Sequence, residues 1–246
     1  MKEPYGGTCS AERWGRWGAR LGALACVLVL SACDEAIEQG ADADINHRPM
    51  VLRANGETVP APPGFDPMPL AVGQWAQYEM VDDKGRSSLL TYKVLAARRD
   101  AFWIETLHET YAGRTAQKML VVFGSRSDPN QIDVRAVVTL DRRGHVSPVP
   151  PEMIPAMRVH FRRALSPLVP SDWAGIPQET TSVPAGRFEG CYHGRTEAQW
   201  GAWTSLAESW RHPAVPLSGL VRSQGIDRRF TMSLVAFGTS GARADF

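Results

Sequence analysis

The strongest constraint on how this chain folds is a two-residue rhythm that begins at Trp75 and returns almost to the last residue. "WAQYEMV" (75–81) alternates, with Ala76, Tyr78 and Met80 on one face and Gln77 and Glu79 on the other. "DDKG" then turns the chain into "LLTYKVLA", where Leu90, Tyr92 and Val94 share a face. "FWIETLHE" follows "ARRD", "AQKMLVVF" follows "YAGR", and "IDVRAVVTL" ends at "DRRG", whose Gly144 suits a turn. Period two is the signature of a strand that buries one face, and connections this short make neighbouring strands antiparallel.

The rhythm breaks at "PVPPEMIPAMRVHFRRALSPLVP". Met153, Met157, Phe161 and Leu165 recur every four positions while Arg158, Arg162 and Arg163 fall elsewhere, which predicts a short amphipathic helix bounded by prolines. Strands resume in "RFEGCYHGR", "WTSLAE", "LSGLVRS" and "RRFTMSLVAFG". The fold class expected is mainly β (α+β): a largely antiparallel sheet of about eight to ten strands with one main helix, in a single domain over residues 71–246.

Upstream the chain reads differently. Residues 1–20 hold Lys2, Arg13, Arg16 and Arg20, and the next ten, "LGALACVLVL", carry no charge. A membrane-crossing helix needs roughly 20 apolar residues, and this run is closed by Ser31, Ala32, Cys33, Asp34 and Glu35. Leu30, Ser31, Ala32 and Cys33 resemble the lipobox of bacterial lipoproteins. The resemblance implies a signal peptide over 1–32, cleaved before a cysteine that carries two or three acyl chains. Each buried CH₂ contributes about 0.8 kcal/mol, so two or more chains would hold the protein on a membrane. An Asp directly after the lipidated cysteine resembles the signal that keeps enteric lipoproteins on the periplasmic face of the inner membrane, with the outer membrane as the alternative address.

Removing residues 1–32 takes four basic and two acidic groups from the 27 and 26 present, leaving 23 against 24. A near-neutral remainder without basic, aromatic-interleaved segments gives no grounds for nucleic-acid binding. Cys9 and Cys26 leave with the signal, Cys33 is taken by lipid, and Cys191 is left with no partner for a disulfide within the chain. Residues 33–70 read as a tether. They open acidic and small, then collect Pro49, Pro60, Pro62, Pro63, Pro67 and Pro69 without strand or helix periodicity. The alternative is that part of this segment packs on the domain, "MVLR" (50–53) being the best piece for it.

A second resemblance covers most of 71–238. "VPAGRFEGCYHGR", then Val215, Pro216, Gly219, Leu220 and Val221, then Phe237 and Gly238, with "GQWAQYEM" and "FWIE" before them, is similar to envelope proteins of the lipoprotein-carrier-like (LolA/LolB-like) class. That likeness implies a strongly curved antiparallel sheet, a half-open barrel whose concave face, partly covered by helix, holds acyl chains of a lipid or lipoprotein. The carriers are soluble whereas this chain resembles a lipidated one, so a fixed receptor, sensor or assembly factor fits better than a shuttle. Met153, Met157, Phe161 and Leu165 would form the lid, flexible methionines suiting variable apolar ligands. The same stripe suits a filled core equally.

No cofactor, metal site or catalytic residue is indicated, and the expected role is non-enzymatic. No G-x-S-x-G, H-E-x-x-H, P-loop or G-x-G-x-x-G pattern occurs. The densest polar cluster is on "RFEGCYHGR", where strict alternation puts Arg187, Glu189, Cys191, His193 and Arg195 on one face and Phe188 and Tyr192 on the other. That is either the solvent side of a strand, a Cys191–His193 nucleophile pair, or half of a metal site with His212 or His160. Trp200, Trp203 and Trp210 gather near one loop, where they suit either packing or a contact surface for an envelope protein partner.

Overall fold

In a computed structural model, residues 57–64, 66–124, 131–168, 175–200, 203–226 and 230–246 are described. The lipobox residues Leu30, Ser31, Ala32 and Cys33, with Asp34 and "MVLR", lie outside them. The described part is mainly β, with twelve strands and one α-helix. The strands are β1 (Thr58–Val59), β2 (Trp75–Val81), β3 (Ser87–Arg98), β4 (Ala101–Thr110), β5 (Gly113–Phe123), β6 (Ile132–Leu140), β7 (Val146–Pro148), β8 (Gln178–Val183), β9 (Gly186–Trp200), β10 (Trp203–Arg211), β11 (Leu220–Gly225) and β12 (Thr231–Gly238). The helix, α1, is Ile154–Leu165.

All twelve belong to one sheet, ordered β1-β9-β10-β11-β12-β2-β3-β4-β5-β6-β7, with β8 beside β9. Every pairing is antiparallel except β1 with β9. Two meanders, β2–β7 and β9–β12, are therefore sewn together where β12 pairs with β2, and α1 lies on the crossover between them. Nine of the twelve strands fall on the segments expected from sequence. β1, β7 and β8 do not, being two, three and six residues long with few large apolar side chains.

The early turns follow from single aspartates. Asp82 Oδ1 accepts from the backbone N–H groups of Lys84 and Arg86, and Asp141 Oδ1 from those of Arg143 and His145. An Asp that mimics backbone in this way fixes the hairpin without help from the core.

Curvature follows from burial. Laid flat, eleven strands side by side at about 4.8 Å would span about 50 Å, far more than one helix about 10–12 Å wide can cover. Yet Tyr78 of β2, Ile104 of β4, Met119 of β5, Val137 of β6, Phe188 of β9, Val221 of β11 and Leu234 of β12 all lie in one contiguous core with Phe161 and Leu165 of α1. The sheet must curl round them, and it is not closed.

Two sequence expectations need correction. The tether expected over residues 33–70 does not extend to Leu70, because Thr58 and Val59 pair in parallel with Arg187 and Phe188. Pro60 O and Pro69 O accept from His212 and Gln74, so the chain is already fixed to the domain by residue 57. Two residues of strand have no readable period, which is why composition alone suggested coil. Strict alternation along β9 also fails, because Gly190 (φ +67°) adds a residue opposite the Glu179–Thr181 stretch of β8. Phe188 and Cys191 thus both enter the core, at 0% exposure, while Arg187 and Glu189 stay outside.

Candidate functional site

The core face of the curled sheet is closed by two pieces of chain. The first is α1, preceded by a turn of 3₁₀ helix at Pro151–Met153. Three residues per turn in that lead-in shift the phase of the stripe. Met153 is 42% exposed, and Ile154 takes its place against the core with Phe161, Leu165 and Leu168. Met157 is partly buried on the same cluster. Of the four expected lid residues the structure thus brings together Met157, Phe161 and Leu165, and leaves Met153 outside. Polar ties fix the helix at its C-terminal half: Arg162 Nε donates to Ile132 O at 3.0 Å, and the Tyr92 hydroxyl to Ala164 O at 3.5 Å. Arg162 thereby serves as an anchor, whereas Arg158 is exposed.

The second piece is the β10–β11 connection, residues 212–219, whose prolines and glycine are the composition of a surface turn. Val215, Leu217 and Ser218 are each about 1% exposed and Leu217 adopts φ +69°. A non-glycine residue in this region is strained, and here burial of its side chain holds it. The loop also brings in charge. The buried Arg211 donates from Nη1 to Ser218 O at 2.7 Å, and the Tyr78 hydroxyl donates to Leu220 O at 3.1 Å. Burial draws the Arg211 guanidinium down to about 10 and holds the Tyr78 and Tyr92 hydroxyls far above their usual range.

The cluster on β9 resolves into separate environments. Cys191 points into the core, its thiol 3.8 Å from Phe188 O and bonded by the Thr181 backbone, and burial pushes it up to about 12. That is the opposite of what a nucleophilic thiol requires. His193 lies over the Trp210 ring, 4.4 Å between centroids at 6°, with Nδ1 2.9 Å from Glu179 Oε1 and Nε2 3.8 Å from Glu208 Oε2. Glu179 also accepts from Trp210 Nε1 at 3.1 Å, and these two hydrogen bonds hold its carboxyl below the usual range. His193 is therefore a partner of two carboxylates and an indole, and Glu189 pairs with Arg187 outside. The nucleophile pair is not formed.

Nor do the suggested metal ligands converge. His212 accepts from Ala214 N at Nδ1, so its Nε2 carries the proton to Pro60 O, and His160 stands exposed on α1. Among the described residues no group of three His, Cys, Asp or Glu could hold an ion. Trp210 is buried rather than presented to a partner.

What the sequence reading missed is a polar row on the core face. Ile104 and Met119 face inward on β4 and β5, so period two also turns Thr106, His108, Thr115 and Gln117 inward. Thr139 of β6, paired with Gln117, joins them. The signal was present in "WIETLHE", whose inward set runs Ile104, Thr106, His108, but six scattered histidines drew attention to motifs rather than to faces.

No family profile, curated protein or solved structure matches this chain. Among the described residues no helix is long and apolar enough to cross a membrane.

Proposed function

We propose that this protein is a non-enzymatic binding module of the bacterial envelope, lipid-anchored through Cys33, whose curled sheet receives an acyl chain of a lipid or lipoprotein beneath α1. The observation that carries the reading is the closure itself. A sheet of this size has one contiguous apolar face, and a single twelve-residue helix, tied at its C-terminal half, covers it together with an inward loop. Moving α1 would expose Phe161, Leu165 and Met157 together with Ile104, Met119 and Tyr92, and a chain of methylenes is what that surface would bury, at about 0.8 kcal/mol per CH₂. The lipobox resemblance supplies the membrane, and the Asp34 rule favours the periplasmic face of the inner one.

A second reading is favoured by a specific observation: Phe161 and Leu165 are 0% exposed and Leu217 1%. A core filled to that degree fits an anchored protein-interaction module with no internal ligand. Titration of the full chain with a fluorescent acyl probe separates the two. The acyl reading expects saturable one-to-one binding that Met157→Asp weakens at least tenfold. Absence of saturable binding would leave the interaction module.

A further inference from the structure

Most of the core face is apolar, and one polar row crosses it on β4, β5 and β6. Cross-strand register puts Thr106 opposite Gln117, His108 opposite Thr115, and Gln117 opposite Thr139. His108 and Gln117 are therefore diagonal neighbours on adjacent strands, with Cβ atoms about 7 Å apart. Leu90 of β3 flanks His108, and Met119 follows Gln117 on the same face.

His108 Nε2 and Gln117 Oε1 are both buried, and neither has a hydrogen-bond partner among the described residues. Buried polar atoms in folded proteins are nearly always paired, so two neighbouring exceptions on one face ask for an occupant. We propose that Thr106, His108 and Gln117 form the polar subsite of the acyl-binding face and take an uncharged headgroup that can donate a hydrogen bond, a hydroxyl or an amide N–H. This inference rests on the acyl reading above.

The donor requirement follows from the atoms. With its carbonyl oxygen turned inward Gln117 accepts, so a carboxylate or ester placed against it would set acceptor against acceptor until the amide turned its N–H groups inward. A hydroxyl donates to Gln117 and still meets the imidazole as donor or acceptor, whichever tautomer His108 adopts. Burial, with the Arg142 charge adding to it, holds the His108 imidazole below its usual range and therefore neutral. A neutral imidazole offers a carboxylate no counter-charge, and an anionic headgroup would have to draw on Arg142 alone. The chemical class is thus an acyl chain ending in a neutral donor, as in a monoacylglycerol or an N-acyl amide. A single water with two polar neighbours is the competing occupant.

The test is selection from a mixture. The purified full chain is incubated with equimolar monoolein, N-oleoylethanolamide, oleic acid and methyl oleate, then separated from free ligand, and the bound lipids are extracted and quantified. The proposal expects the two donor-bearing lipids to be enriched about tenfold over methyl oleate and oleic acid, the factor one well-made buried hydrogen bond supplies. Gln117→Met keeps the side-chain volume and removes the unpaired acceptor, so it should fold at least as stably while erasing the enrichment. Equal uptake of all four lipids by both proteins would mean that water fills the subsite, overturning this proposal and leaving the acyl reading intact. Preferential uptake of oleic acid would overturn it in favour of an anionic headgroup. Uptake of none would remove the acyl reading and this inference together.

Discussion

Truncating Phe161 measures how firmly the helix is seated. Its ring is fully buried between α1 and the sheet. An aromatic side chain buries roughly 150–250 Å². At about 25 cal/mol per Å², less what alanine retains, its removal costs about 4 kcal/mol, within the range of roughly 3–5 kcal/mol found for such truncations. For a domain of this size each kcal/mol moves the melting temperature by about 2–4 °C, so Phe161→Ala should melt about 8–16 °C lower. The same helix supplies a control. Val159 is 58% exposed, and Val159→Ala should change stability by no more than about 0.5 kcal/mol. Urea unfolding followed by tryptophan fluorescence reads both. If Phe161→Ala costs less than about 1 kcal/mol, or no more than Val159→Ala, the helix does not rest on the core in solution and the closure argument fails.

Three further outcomes follow from other parts of the sheet. Gly190→Ala should destabilise by at least about 1–2 kcal/mol, because the residue is left-handed and a new Cβ would sit 2.7 Å from Ala61 Cβ; limited proteolysis should then cut residues 57–64 faster than in the parent. In a chain with Cys9, Cys26 and Cys33 replaced by Ser, the thiol of Cys191 should resist a water-soluble thiol reagent at pH 8 and react only as fast as the protein unfolds. Rapid labelling of the native state would mean that its core position is wrong. Glu105, buried on the outer face between Lys93 and Lys118 and accepting from Asp245 N, has its carboxyl raised chiefly by burial. A raised carboxyl binds its proton at higher pH folded than unfolded. Its contribution to stability therefore falls as pH rises from the ordinary carboxylate range through the folded value. Glu105→Gln should remove that slope, visible as a pH-dependent difference between the two unfolding curves.

Much of this architecture was legible because its hairpins are local. Alternation in "WAQYEMV" marked β2 to the residue, the segment "IDVRAVVTL" coincides with β6, and Asp82 and Asp141 stand at their turns. What escaped notice depends on contacts between residues distant in sequence. β1 exists only because β9 is beside it, and Gly190 reverses the faces of β9 where it packs against Ala61. The inward loop at 212–219 contains prolines and a glycine, the composition of a surface turn, yet it carries Val215 and Leu217 into the core. The lid was half legible: four-residue spacing found Phe161 and Leu165, but the 3₁₀ lead-in moved the start of the buried stripe from Met153 to Ile154. The inward set Thr106 and His108 stands in "WIETLHE", but its pairing with Gln117 exists only once register aligns β4 with β5.

The most direct test of the acyl reading is native mass spectrometry of the full chain purified from a bacterial envelope, with lipid extraction of the same sample. The account predicts acyl lipid or lipoprotein retained noncovalently at one per chain, over and above any lipid on Cys33, and lost when Met157 and Phe161 are both changed to charged residues. A mass with no such adduct, unchanged after incubation with envelope lipids, would contradict it.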